Sequence, residues 1–211
     1  YDQENQFIRA VQAKLQPGST FKPLYYSEAI ENHQMIEGHP ASMTAIISDI
    51  PVVFHKEDGT PYIPQDFKGQ WEGDVPLWYA LAHSMNVPSV KVLDAVGFDA
   101  AIKRTSSLLG IPSNELEQRH FDSVYPLGLG VCSVRPIEMA KAYATIANKG
   151  HEVTPIAILS VEDKYGNEIL NPEKELRSQQ KAQKGGKQIL KEESAFIMQE
   201  IMKQTVASGS L

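Results

Sequence analysis

Apolar residues recur three and four positions apart in several stretches of the chain, the spacing of helices with one buried face. The first such stretch carries Phe21, Leu24, Tyr25, Ala29 and Ile30, and predicts a helix from the turn at Pro17-Gly18 to about Asn32. A second runs from Asp74 into the polar break Ser84-Met85-Asn86. A third begins at Pro88, a residue suited to a helix start, and ends at Gly97. Asp99 to Leu109 follows, stopped by Gly110 with Pro112 just beyond. Pro136 to Asn148 carries Ile137, Ala140, Ala144, Ile146 and Ala147, an alanine-rich face that suits close helix packing. Glu192 to Val206 places Phe196, Ile197, Ile201 and Met202 on one side, before Ser208-Gly209-Ser210.

The β signal is shorter and more local. From Glu37 to Asp74 the chain reads as loop with brief apolar runs, Ile46-Ile47 and Val52-Val53-Phe54. Asp58-Gly59 suits the turn of a hairpin between His55 and Tyr62. The clearest strand pattern is 153–170, expected to form a hairpin around Asp163-Lys-Tyr-Gly166. Residues 171–189 are polar, include Gln179-Gln180 and a Lys184-Gly185-Gly186-Lys187 cluster, and are expected to be a mobile loop. Phe7, Ile8 and Val11 are expected to be packing contacts, as are Trp71 and Trp78. The fold class implied is α+β.

Composition narrows the functions open to such a chain. Its 211 residues are 42% hydrophobic, enough for one domain with a sizeable core. A net charge of −6, with no dense basic stretch, argues against a nucleic-acid partner. The one cysteine, Cys132, sits among small and apolar neighbours and is expected to be buried. The histidines show no ligand spacing to one another or to Cys132, so neither a metal nor a cofactor is expected. No apolar run is as long as a membrane span, and any anchor is expected upstream of Tyr1.

The chemistry-bearing candidates lie at two of the element boundaries. Ser19 follows Pro17-Gly18 at the start of the first helix, with Lys22 on the same face. A serine hydroxyl needs a base to become a nucleophile, and a lysine drawn down toward pKa ~7–8 by burial can be that base. The pattern alone is also met by a capping serine and a surface lysine. Ser178-Gln-Gln-Lys181 has the same spacing in a polar run and reads as solvated surface. Ser84 and Asn86, in the break between two helices, can relay a proton and hold a substrate amide, or can simply cap the helix that follows. His83 adjoins Ser84, but no acidic partner for a Ser/His/Asp triad is identifiable.

Together these residues resemble the transpeptidase domain of penicillin-binding proteins, in which Ser-x-x-Lys is paired with a Ser-x-Asn motif. Phe7-Ile8-Arg9-Ala10, Gln12-Ala13-Lys14, Gln16-Pro17-Gly18-Ser19, Ala80 to Asn86, the stretch 125–130 and Ala140 to Gly150 resemble its class A, bifunctional branch, in the right order along residues 1–211. The resemblance implies a β-lactamase/transpeptidase-like α+β fold, here a mostly helical central part with some of the antiparallel sheet and the hairpin near 153–170. It implies a peptidoglycan D,D-transpeptidase. Ser19 would be the nucleophile, Lys22 its base and Ser84 the proton relay, with Asn86 a substrate-binding group. Stem peptides and β-lactams would be the partners, on the periplasmic side of a bacterial membrane, in a membrane-anchored parent with a glycosyltransferase domain upstream.

Alternatives with the same serine trap are a D,D-carboxypeptidase or β-lactamase and a non-catalytic β-lactam sensor. Asp66 stands where the family often has Asn, and Arg135 where it often has Ser or Thr before the proline of the later helix. Neither is expected to touch the chemistry. The family's Lys-Thr-Gly triplet is absent and would be expected after Leu211, and its first two strands before Tyr1. The 211-residue chain by itself is therefore expected to acylate weakly or not at all.

Overall fold

A computed structural model describes residues 4, 6–56, 58–66, 69–182 and 186–209. Tyr1-Asp2-Gln3, Lys184-Gly185 of the basic cluster, and Ser210 lie outside them. The helices are α1 (Arg9–Gln12), α2 (Lys22–Glu31), α3 (Leu77–Ala82), α4 (Asn86–Val96), α5 (Phe98–Leu109), α6 (Pro136–Ala147), α7 (Pro172–Ala182) and α8 (Glu192–Ser208). The strands are β1 (Met35–Ile36), β2 (His39–Pro40), β3 (Ile46–Asp49), β4 (Phe54–His55), β5 (Pro61–Tyr62), β6 (Gly73–Pro76), β7 (Val161–Glu162) and β8 (Glu168–Leu170). They pair antiparallel as β1–β2, β3–β6, β4–β5 and β7–β8. The α+β class holds.

The core forms around α2, which packs on α4, α5 and α8 and is buried on nearly every side. Its amphipathic pattern is weak for that reason: Leu24, Tyr25, Tyr26, Ala29 and Ile30 are inaccessible all round. Burying a side chain such as Phe21, Leu24 or Ile30 contributes about 1.5–3 kcal/mol. The polar groups carried inside with them are satisfied. The Tyr25 hydroxyl lies 3.1 Å from the carbonyls of Ser89 and Gly128, and the Tyr26 hydroxyl 3.0 Å from Ser89 Oγ. Arg104 of α5 pairs with Glu28 and Glu31, pinning the far end of α2.

Several boundaries differ from the sequence expectation for local reasons. The helix expected from Pro88 starts at Asn86, because Asp66 reaches in from a separate loop to accept its first N–H groups. The polar stretch after Leu170 is not a loop over most of its length but helix α7. Asn171 Oδ1 caps it by accepting the Lys174 N–H, Pro172 opens it, and Glu173 pairs with Arg177 one turn on. With no buried residue, α7 lacks the apolar periodicity that would have marked it. The hairpin near 153–170 forms only at its centre, as β7 and β8 around a turn in which Asp163 Oδ1 accepts from Tyr165 and Asn167. Phe7, Ile8 and Val11, expected as packing contacts, are 55%, 61% and 46% exposed.

The N-terminus of α6 needs no capping hydroxyl at Arg135. Glu138 reaches back to accept the Arg135 N–H at 2.7 Å, and also pairs with the buried Arg119. The hairpin expected around Asp58-Gly59 is present as β4–β5, and Cys132 is buried as expected, its thiol pushed up to about 12 by desolvation.

Candidate active site

Ser19 lies in a single 3₁₀ turn, Gly18–Phe21, that runs directly into α2. Gly18 has φ of +58°, and Gly130, at φ +77°, packs against it so closely that a β-carbon there would meet the Gly18 carbonyl oxygen at 2.2 Å. The turn is held from the other side by Tyr143 of α6, whose hydroxyl donates to the Thr20 carbonyl at 2.9 Å. Ser19 is exposed, and among the described residues its Oγ makes no hydrogen bond.

Lys22 is the reverse case, a lysine with no exposed surface. Its Nζ donates to the Ser84 carbonyl at 2.7 Å, Asn86 Oδ1 at 2.9 Å and the Met85 carbonyl at 3.2 Å, and lies 3.3 Å from Ser84 Oγ. Desolvation draws its pKa down to about 8, partly opposed by the nearby Asp66 carboxylate. An ammonium has three protons for these four acceptors. A neutral amine has two and a lone pair, which leaves Ser84 Oγ–H in position to donate to it.

The Ser84-Met85-Asn86 turn is built by the end of α3. Ser84 N–H bonds the Leu81 carbonyl and Met85 N–H the Ala80 carbonyl, the paired bonds of a Schellman motif. The residue in Ser84's place normally adopts a left-handed conformation and is usually glycine. Ser84 adopts it, with φ of +56°. The Met85 carbonyl is held from below by Ser89 Oγ at 2.6 Å, and Ser89 by Tyr26. Asn86 donates through Nδ2 to the Gln65 carbonyl at 2.9 Å, which leaves that amide one further N–H.

Ser19 and Ser84 line one cleft of about 680 Å³, walled by Leu81, Tyr143, Met202 and Val206. Lys22, Ser84 and Asn86 are therefore joined directly, and Ser19 shares the cleft with Ser84 without bonding to Lys22. Trp71 is exposed and does not line this cleft, and Trp78 packs edge-on to Tyr79.

Sequence reasoning missed two groups here. Tyr143 was visible only inside the stretch from Ala140 to Gly150 that carries the family resemblance. Asp66, expected to lie apart from the chemistry, accepts the Asn86 N–H and faces Lys22. No local pattern links it to residues twenty positions away.

Comparison with known proteins gives concordant findings. The family model for the penicillin binding protein transpeptidase domain matches residues 1–210. Penicillin-binding protein 1A of Pseudomonas aeruginosa is 35% identical over 167 residues, covering 79% of this chain and 19% of that protein. The 1A protein of Neisseria meningitidis is 31% identical over 209 residues, 97% of this chain and 24% of that protein. The crystal structure of penicillin-binding protein 1A from Haemophilus influenzae superposes with a TM-score of 0.79 at 20% identity, covering 97% of this chain and 32% of that one. The chain thus spans about a fifth to a quarter of the length of these curated relatives.

Proposed function

Since the chain belongs to the penicillin-binding protein transpeptidase family, we propose that it carries the acyl-transfer centre of a peptidoglycan D,D-transpeptidase. Residues 1–211 are part of one transpeptidase domain in this reading. One observation carries it. The buried Lys22 amine is drawn down to about 8 and sits 3.3 Å from Ser84 Oγ, at the cleft that Ser19 also lines.

The chemistry follows from that arrangement. Ser19 Oγ attacks the carbonyl of a D-Ala-D-Ala peptide bond; the C–O ester bond forms and the C–N bond breaks. The serine proton passes to neutral Lys22, with Ser84 Oγ as the bridge, and from there to the departing amine of D-Ala. An amine of a second stem peptide then attacks the ester, and its proton returns to Ser19 Oγ as the C–O bond breaks. Asn86 donates its remaining Nδ2–H to the substrate backbone. A β-lactam would open its ring amide on Ser19 by the same first step. Its amine stays tethered to the acyl group. Peptidoglycan as substrate implies work on the extracytoplasmic face of the membrane, in a parent anchored there. Among the described residues no helix is long and apolar enough to cross a membrane.

The test is intact-mass spectrometry after incubation with benzylpenicillin, on this chain and on a longer protein that continues past Leu211. The expected result is an adduct on the longer protein that disappears in Ser19→Ala, with little or none on the 211 residues alone. A Ser19→Ala protein that still gains the mass overturns the assignment.

A further inference from the structure

Two carboxyl groups meet behind the Ser84–Asn86 turn. Asp49, the last residue of β3, has no exposed surface, and its Oδ2 accepts the Glu72 N–H at 2.9 Å. Asp66 Oδ1 accepts the N–H of Asn86 and, at 3.3 Å, that of Val87, placing its charge at the N-terminus of α4. The two remaining oxygens, Asp49 Oδ1 and Asp66 Oδ2, are buried and have no N–H or O–H partner among the described residues. Asp66 acts on Asp49 both as a hydrogen-bonding neighbour and as a like charge, so the two carboxyl groups lie side by side. Buried carboxylates in contact repel strongly as two anions, whereas one proton between them makes a strong O–H···O⁻ bond that satisfies both orphaned oxygens.

We propose that Asp49 and Asp66 hold one proton between them at neutral pH, and that this pair is the positioning element that fixes Asn86 and sets the charge facing Lys22. The hydrogen bonds then form one chain, from the Glu72 N–H through Asp49, the shared proton and Asp66 to the Asn86 N–H. Asn86 Oδ1 continues it to Lys22. The catalytic meaning of the pair rests on the function proposed above; its existence does not.

The surrounding charges favour keeping the proton. Burial, the neighbouring Asp66 and the nearby Glu72 carboxylate push the Asp49 carboxyl well above the usual carboxylate range, against the pull of the Glu72 N–H. Lys22 faces Asp66 from α2, as does Tyr26, whose buried phenol stays neutral well above its ordinary range. Lys91 of α4, which packs on β3, is taken up by Glu37 and Ser48. Below the midpoint the pair carries one negative charge. Above it the pair carries two, which holds Lys22 as the ammonium and drives the carboxylates apart. The protonated pair is therefore the working state.

Asp49→Asn and Asp66→Asn each replace the shared proton with a permanent N–H donor and hold the charge at one. Aspartate labelled with ¹³C at the side-chain carboxyl, followed by NMR from pH 4 to 9, reads the pair directly. A carboxyl that titrates close to neutrality in the wild type and is absent from both variants is expected. Lys22, labelled at Cε and assigned with Lys22→Arg, is expected to titrate lower in Asp49→Asn than in the wild type. Hydrogen exchange reads the positioning: the Asn86 and Val87 amides stay protected in Asp66→Asn, which keeps the acceptor, and lose about tenfold or more protection in Asp66→Ala. If Asp66→Ala does not fold, the Asn variants and Lys22 titration still decide.

All aspartates titrating below about pH 5 would overturn the shared proton, and unchanged protection in Asp66→Ala would overturn the positioning role. None of these measurements needs an active enzyme. A longer protein that forms no penicillin adduct, beside a neutral-range carboxyl, counts against the transpeptidase reading alone. The opposite pair of results counts against this proposal alone.

Discussion

Replacing Lys22 with methionine measures what the buried amine does to the fold. Lys22 has no exposed surface, and desolvation draws its pKa from 10.5 down to about 8. Between those values the unfolded chain still binds a proton that the folded protein has released. Stability therefore rises with pH across that window, and below about pH 8 the full penalty of burying the cation is present. At about 1.4 kcal/mol per unit, the wild type gains roughly 3 kcal/mol between pH ~8 and ~10.5. Methionine fills the same stem without titrating, so its stability carries no such slope. It also strips a donor from the carbonyls of Ser84 and Met85 and from Asn86, which adds an offset independent of pH.

The assay is urea unfolding of the wild type and Lys22→Met at half-unit steps from pH 6.5 to 10.5. The difference between the two stabilities should be level below about pH 7.5 and then climb by roughly 3 kcal/mol in favour of the wild type. A level difference throughout would mean that Lys22 titrates like a solvated side chain. The base assignment would then lose its footing. About a tenth of the protein holds a neutral amine at pH 7 when the pKa is 8, against about 0.04% when it is 10.4.

Ser84→Gly relieves a left-handed residue that glycine adopts without strain, so unfolding should show the variant as stable as the wild type or more stable by up to about 1 kcal/mol. Its benzylpenicillin acylation rate, measured by quenched intact mass in a protein that labels on Ser19, should fall at least tenfold; an unchanged rate removes Ser84 from the relay. Gly130→Ala forces a β-carbon onto the Gly18 carbonyl and should lower stability by about 1–3 kcal/mol in thermal unfolding. The same variant should slow acylation by moving the Ser19 turn, and a wild-type melting curve would refute the close approach.

Elements with a strong local signal were legible in the sequence. Helix α5 ends at the left-handed Gly110 that its pattern predicts, and α6 spans nearly the expected range because an alanine-rich face and Pro136 mark it. Helix α7 was not, since an exposed helix shows only its cap and its charge pairs. In the site, the three-residue spacing of Ser19 and Lys22 was visible, and so was the polar break at Ser84–Asn86. Which groups bond to Lys22 was not: they lie 62 to 64 positions away, and only the packing of α2 against α4 brings them together. Asp49 and Asp66 were hidden more completely, because each sits in a short-strand region with no periodicity to signal a buried face.

The proposed site also stands out on physical grounds alone. Local rules are broken there three times: a serine takes a glycine conformation, a lysine is wholly buried, and two carboxyl groups lie side by side in the interior. Each exception alone costs stability. Scattered, they would read as unrelated defects. Here they are bonded to one another, since Lys22 donates to Ser84 and Asn86, and Asn86 donates to Asp66. Lys22 can be buried because the left-handed turn aims two carbonyls and an amide oxygen at it, and the turn keeps its place because Asp66 holds the helix that follows. Lys22 thus depends on the turn for its acceptors, and the turn on Asp66 for the start of α4. Linked exceptions beside a cleft are what the pre-organised site proposed above requires.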